Sequence, residues 1–190
     1  GTYTVTSNFS AGWATSPRSG IGKSYSFTFQ FKVDSTAPTM NNVSTSSTGK
    51  YTNSSTYVYA SDSMSGVDAI YMKTPGSSSY GNMGTSTTVS SSGTNGLYSF
   101  YAKDKAGNIS RTYYLYLDTV KPTGIIKGMQ GTTYSGNYIN QTFSYTASDS
   151  GSGISYLQYK TPGSSSWSTY TDGYTIPPTF TNGTYQFRAV

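Results

Sequence analysis

The chain has 190 residues and a formal charge of +5, and it contains no His, no Cys and, since all 7 acids are Asp, no Glu. These absences exclude Ser-His-Asp and Cys-His nucleophiles, dithiol redox chemistry and zinc sites built on nitrogen and sulfur, so no enzymatic activity is expected. Ser and Thr together supply 64 residues and Tyr another 20, which leaves aromatic rings to provide the apolar area that aliphatic side chains usually supply.

No helical periodicity is present, and the predicted elements are strands, read from period-two alternation between Gly, Pro, Ser and Asn punctuation. Gly1-Thr-Tyr3-Thr-Val5 opens the chain as a strand, and a Ser/Gly/Pro-containing stretch that includes Trp13 follows from Ser7 to Ser24. Tyr25, Phe27, Phe29, Phe31 and Val33 then alternate strictly with polar residues; Lys32 falls on the polar side and is expected to face solvent. After a Pro-containing linker, Asp34 to Thr39, strands are predicted at Thr39–Thr45, Thr56–Ser61, Asp68–Thr74, Ser79–Met83, Thr85–Val89, Leu97–Lys103 and Ser110–Leu117. Seven short strands in so few residues imply an antiparallel sandwich, with Tyr98, Phe100 and Ala102 on the core face of the sixth. The longest apolar run, Tyr113 to Leu117, is far short of the ~20 residues of a membrane helix, so membrane insertion is not expected. No signal-peptide pattern opens the sequence, and if the protein is exported its signal is expected to have been removed or to lie upstream.

The chain repeats itself at a shift of 87 residues. Ala60-Ser-Asp62-Ser-Met-Ser-Gly66-Val67 recurs as Ala147-Ser-Asp149-Ser-Gly-Ser-Gly153-Ile154, and Lys73-Thr-Pro75-Gly76-Ser-Ser-Ser79-Tyr80 as Lys160-Thr-Pro162-Gly163-Ser-Ser-Ser166-Trp167. Asn95-Gly96-Leu-Tyr98-Ser-Phe100-Tyr-Ala102 likewise recurs as Asn182-Gly183-Thr-Tyr185-Gln-Phe187-Arg-Ala189. The linkers Asp34-Ser-Thr-Ala-Pro38-Thr39 and Asp118-Thr-Val-Lys-Pro122-Thr123 match at a shift of 84. The implied organisation is a terminal hairpin over 1–34, one whole unit over 35–118 and a unit lacking its last strand over 119–190, a segment of a longer array.

The order Gly96-x-Tyr98-x-Phe100-x-Ala102 resembles the sixth strand of an immunoglobulin domain, with Phe100 where antibody domains place the second Cys. Ser65-Gly66-Val67, Asp104-Lys-Ala-Gly-Asn108 and Asp118 to Pro122 resemble the tandem bacterial Ig-like repeats of secreted and wall-anchored surface proteins, and the likeness covers nearly the whole chain. In the second unit Gly153-Ile154, Tyr159, Trp167, Tyr170, Ile176, Gly183 and Tyr185 are spaced as in that family, whereas the first unit departs at Tyr80 and has no aromatic matching Tyr170. The resemblance implies an all-β chain of tandem immunoglobulin-like antiparallel β-sandwiches, located outside the cell, at the cell surface or wall. A Cys-free composition agrees with that compartment. The implied role is non-catalytic, as a stalk, spacer or adhesion module whose immediate partners are neighbouring Ig-like domains of the same chain and whose distal partner is a host or cell-surface glycan or protein. The alternative is a carbohydrate-binding or accessory module of a secreted polysaccharide-active enzyme.

Two sets of residues are candidates for binding. In a seven-strand Ig topology the incoming linker, the loop after the second strand and the turn after the sixth meet at one end of the unit, which brings Asp34, Asp62, Asp104 and Asn108 together as oxygen ligands for calcium; Asp118 and Asp149 are their counterparts in the second unit. Without metal, the same residues are Asx-turn formers. Trp13, Trp167 and Tyr170, near turns, are the candidates for stacking on sugar rings. An Asp-based glycoside hydrolase would need Asp62 and Asp104 to flank a cleft. The positive charge clusters only at Lys103, Lys105 and Arg111, so nucleic acid is not an expected partner. A fibre in which Tyr25–Val33 of one copy completes the 119–190 unit of another is a further arrangement open to the sequence.

Overall fold

The computed structural model describes residues 2–10, 24–128, 133–134, 138–139, 141–176 and 181–190. These form an all-β structure with no helix among the described residues. The first two strands, β1 (Thr2–Ser10) and β2 (Ser24–Lys32), pair only with each other as an antiparallel hairpin in which Val5 faces Phe29. Phe29 is 65% exposed. Lys32 is also exposed, as its place in the alternation predicts.

Eight strands follow the first linker. β3 (Thr39–Asn41), β5 (Thr56–Ser61) and β8 (Ser86–Val89) form one sheet in the order β3-β5-β8. The other sheet runs β4-β10-β9-β6-β7, comprising β4 (Lys50–Thr52), β6 (Val67–Lys73), β7 (Gly81–Asn82), β9 (Gly96–Asp104) and β10 (Tyr113–Leu117). Met40, Val58 and Val89 from the first sheet meet Ile70, Phe100 and Leu115 from the second in a single core. The burial pattern along β10 alternates strictly, Tyr113, Leu115 and Leu117 inward and Tyr114 and Tyr116 outward. That alternation is the physical expression of the period-two pattern.

A second core lies beyond the linker at Asp118. β11 (Thr123–Gly128), β12 (Thr133–Tyr134), β13 (Phe143–Ser148) and β16 (Thr175–Ile176) make one sheet, ordered β12-β11-β13-β16. The facing sheet is β15-β14-β17, built from β14 (Leu157–Lys160), β15 (Ser168–Tyr170) and β17 (Gln186–Ala189). Here aromatics dominate: Tyr145, Tyr170 and Ile176 pack with Leu157, and Phe187 stacks on Tyr145 with ring centroids 5.0 Å apart.

The observed strands depart from the predicted ones at several points. The strand expected over Thr39–Thr45 ends at Asn41 because Asn42 turns into the left-handed region at φ 65, with its side-chain amide donating to the Tyr57 carbonyl at 2.8 Å. Asn pays less than most residues for that conformation. The strand β4 was not predicted; it is short, exposed at Lys50 and Tyr51, and held by a parallel ladder to β10 rather than by its own apolar pattern. The strand expected over Ser79–Met83 reduces to Gly81–Asn82.

Tyrosine hydroxyls fix the chain where strands enter the sheets. Tyr98 Oη donates to the Thr94 carbonyl at 2.9 Å, and Tyr185 Oη donates to the Thr181 carbonyl at 3.2 Å, four residues back in each case. The preceding glycines are equally constrained. Gly96 (φ 130) and Gly183 (φ 143) would each drive a Cβ into a proline, Pro75 at 3.0 Å and Pro162 at 2.6 Å.

Phe100 is fully buried at the centre of the first core, so Phe100→Ala is expected to cost about 3–5 kcal/mol. Phe187→Ala, at a half-buried position, is expected to cost less. Urea titration of both variants, read as a shift in midpoint at constant slope, checks the order.

Candidate functional site

At one end of the first sandwich three segments meet. The linker after β2 supplies Asp34, the loop between β5 and β6 supplies Asp62, and the last residue of β9 is Asp104. One carboxylate oxygen from each lies within 4.8 Å of the others. The convergence expected from the sequence is therefore observed for these three residues.

Each carboxylate is held by nearby donors. Asp34 accepts the Thr36 N–H at 3.0 Å and the Ser65 N–H at 2.9 Å. Asp62 Oδ2 accepts from Met64 and Gly66, both at 2.9 Å, which is the Asx-type turn expected of an Asp-x-x-x-Gly stretch. Asp104, with no exposed surface, accepts the Asn108 N–H at 2.7 Å on Oδ1 and the Asn108 side-chain amide at 2.8 Å on Oδ2. The same amide donates to the Asp34 carbonyl at 3.1 Å. Asn108 thus reaches the site, but through its NH₂ group as a brace between linker and strand.

These bonds set the protonation. The Ser65 hydroxyl, followed by the Thr36 N–H, holds the Asp34 carboxyl below its ordinary value. Ser65 Oγ is buried without a hydrogen bond of good geometry, and the bond from this residue that the geometry supports is its N–H to Asp34 at 2.9 Å. For Asp104 burial pushes upward, but the Asn108 amide, the Asn108 N–H and the Gly107 N–H outweigh it and leave the carboxyl low, against a further upward push from Asp34. Asp62 Oδ1 is buried with no hydrogen-bond partner. Ser65 is the residue that sequence reasoning missed, although Ser65-Gly66 and its counterpart Ser152-Gly153 stand inside the repeated block.

The second linker repeats part of this geometry. Asp118 Oδ2 accepts the Ser152 N–H at 2.5 Å, and Asp149 Oδ1 accepts from Gly151 at 2.9 Å and Gly153 at 3.0 Å. The Ser152 hydroxyl and N–H, with a smaller contribution from Asp149, hold the Asp118 carboxyl low. Asp118 also ties backward, its N–H donating to the Thr52 carbonyl at 2.9 Å, while Thr119 donates to Asn95 Oδ1 at 3.1 Å from its hydroxyl and 3.2 Å from its N–H.

The aromatic candidates fare differently. Trp13 lies outside the described residues. Trp167 is half-buried and has two cations over its ring, Lys160 Nζ at 4.9 Å and the Arg188 guanidinium at 4.3 Å from the centroid. Lys73 over Tyr80, at 5.4 Å, is the matching pair in the first sandwich. Tyr170 is a correction: at 3% exposure it belongs to the second core, where its hydroxyl accepts the Tyr145 N–H at 2.9 Å and donates to the Tyr174 carbonyl. A ring so placed offers no face to a sugar. It borders a cavity of about 190 Å³ that is lined by Tyr159, Tyr174 and Tyr185 among others and has no charged residue in its wall.

Compared with known proteins, the chain matches no family model, no curated protein and no solved structure.

The titration behaviour follows from these environments. Asp34, Asp104 and Asp118 have carboxyls lower in the folded than in the unfolded chain, so the stability they lend is complete above about pH 4 and is lost as pH falls through their depressed values. Burial raises Tyr98, Tyr145 and Tyr170, whose contribution is complete below about pH 10 and is lost as pH rises through their elevated values. With no His, Cys or Glu to titrate between, thermal melts from pH 2 to 12 are expected to give a flat plateau bounded by two falls. A maximum or a step near pH 6 to 7 would contradict this account.

Proposed function

We propose that the chain is a non-catalytic extracellular segment of tandem Ig-like β-sandwiches that serves as a stalk, spacer or adhesion module of a bacterial surface protein. The observation that carries this reading is the joint at Asp118. Between Leu117 of β10 and Thr123 of β11 lie five residues, and they are hydrogen-bonded backward to Thr52 and Asn95 and forward to Ser152. Such a joint holds one sandwich against the next, which is what a spacer requires and a flexible tether does not.

The strand order supports the Ig-like reading. A sheet ordered β3-β5-β8 facing one ordered β4-β10-β9-β6-β7 has the connectivity of strands A, B and E against A′, G, F, C and C′. The hydroxyl bonds of Tyr98 and Tyr185 to carbonyls four residues upstream are those of a tyrosine corner. Against glycoside hydrolysis, Asp104 is fully buried, so one member of the required carboxylate pair has no surface to offer a sugar.

The expected effect of Asp118→Ala is a broader, more extended distance distribution in small-angle scattering, with the far-ultraviolet circular dichroism unchanged. Superimposable scattering from the two proteins would remove the joint as the carrier of the function.

A second reading, an accessory carbohydrate-binding module, draws support from the outward face of the five-stranded sheet, where Tyr51 meets Tyr116 at 5.3 Å and Tyr71 stacks on Tyr101 at 4.7 Å. Saturable quenching of tyrosine fluorescence by soluble polysaccharide, abolished by Tyr51→Ala, is the result expected of that reading; no quenching disposes of it.

A further inference from the structure

The three carboxylates at the first linker gather like charge at one point. Among the described residues the single ion pair is Lys103 with Asp68, at 3.9 Å and away from the cluster. Lys105 Nζ stands 3.8 Å from where a Cβ on Gly66 would lie, yet it forms no ion pair with Asp34, Asp62 or Asp104. Like charges brought this close oppose one another unless a counter-charge sits among them. Independently, Asp62 Oδ1 has given up water and received no donor in exchange. A buried carboxylate oxygen in that condition lacks a partner it ought to have.

We propose that Asp34, Asp62 and Asp104 bind a divalent cation of the calcium class, with Asp62 Oδ1 as one of its ligands. The donor set is oxygen only, which suits a hard cation and not zinc or copper. The size also fits. Calcium–oxygen distances are about 2.3–2.6 Å, so ligands on opposite sides of the ion stand about 5 Å apart, and the three oxygens here lie within 4.8 Å of one another. Three protein oxygens leave room for further carbonyl oxygens or water. Magnesium, which demands near-ideal octahedral geometry, is the poorer match to ligands drawn from a linker, a loop and a strand end.

Binding would clamp the linker to the sandwich, because Asp34 belongs to one and Asp62 and Asp104 to the other. The site stands on its own geometry; only its mechanical consequence rests on the spacer reading. Among the described residues the second linker brings Asp118 and Asp149 together without a third acid, so a single site of this kind is expected in the chain.

The test uses the full 190-residue chain stripped of metal with chelator. Calcium is titrated calorimetrically, and terbium is titrated while its luminescence, sensitised by tyrosine, is followed. One saturable site is expected, with calcium displacing terbium, magnesium displacing it poorly, and the melting temperature rising with calcium and returning on chelation. Asp62→Asn keeps the side-chain size and an acceptor for the Met64 and Gly66 N–H groups, and is expected to weaken binding at least tenfold with circular dichroism unchanged. Asp34→Asn serves the same purpose should Asp62→Asn unfold, and Asp172→Asn, outside the cluster, is expected to bind as wild type. No saturable calcium binding up to about 10 mM, above the range of roughly 10⁻⁴–10⁻³ M usual for extracellular modules, overturns the proposal. So does equal binding by wild type and the cluster variants. Scattering with and without calcium then reads the clamp separately: binding without a change in particle shape keeps the site and removes its role in the joint.

Discussion

A buried tyrosine brings a hydroxyl into the core with it, and that hydroxyl has to be satisfied. This constraint shapes the protein, because the chain is rich in Tyr and poor in Leu. In the first core the Tyr98 hydroxyl reaches back to the Thr94 carbonyl, which determines how the chain enters β9. In the second, Tyr170 takes the Tyr145 N–H and gives to the Tyr174 carbonyl, so one hydroxyl links β13, β15 and the turn after β15. A leucine-built core would pack as well and impose none of these positions. Here the aromatic composition buys register along with apolar area.

The ends of the sandwiches obey a related rule with carboxylates in place of phenols. Asp34 and Asp118 stand in linkers, accept backbone N–H groups from the loops that follow, and in doing so give two extended segments a defined direction. Asp104 carries this furthest: a fully buried carboxylate survives because Asn108 offers it both a backbone and a side-chain donor. The amide of Asn108 then has a hydrogen left for the Asp34 carbonyl. A single side chain thereby couples the turn after β9 to the linker, and the acid cluster is a product of that coupling.

Much of this arrangement could be read from the residues. β5 occupies the predicted span Thr56–Ser61, and the inward face of β9 carries Tyr98, Phe100 and Ala102 as the alternation requires. The meeting of Asp34, Asp62 and Asp104 was legible because the Ig topology that the resemblance implies brings their three segments to one end. What stayed hidden depends on the third dimension. β4 has no pattern of its own and exists because β10 offers it an edge. Tyr170 follows a polar turn and looks exposed in sequence, yet β15 turns its third residue inward. Asn108 presents either an oxygen or an NH₂ group, and only the position of the Asp104 carboxylate decides between them.

The parallel pairing of β4 with β10 has a consequence for load. Tension applied along the chain would enter the first sandwich from Asp34 and leave it at Asp118, and would draw β4 and β10 past each other lengthwise. Their rungs, Leu115 with Lys50, Tyr116 with Tyr51 and Leu117 with Thr52, together with the Asp118 N–H bond to the Thr52 carbonyl, lie across that pull. They therefore share the force and must fail together, whereas a hairpin pulled at its open end loses one rung at a time. Within this fold, an unassuming three-residue strand is placed as a shear clamp.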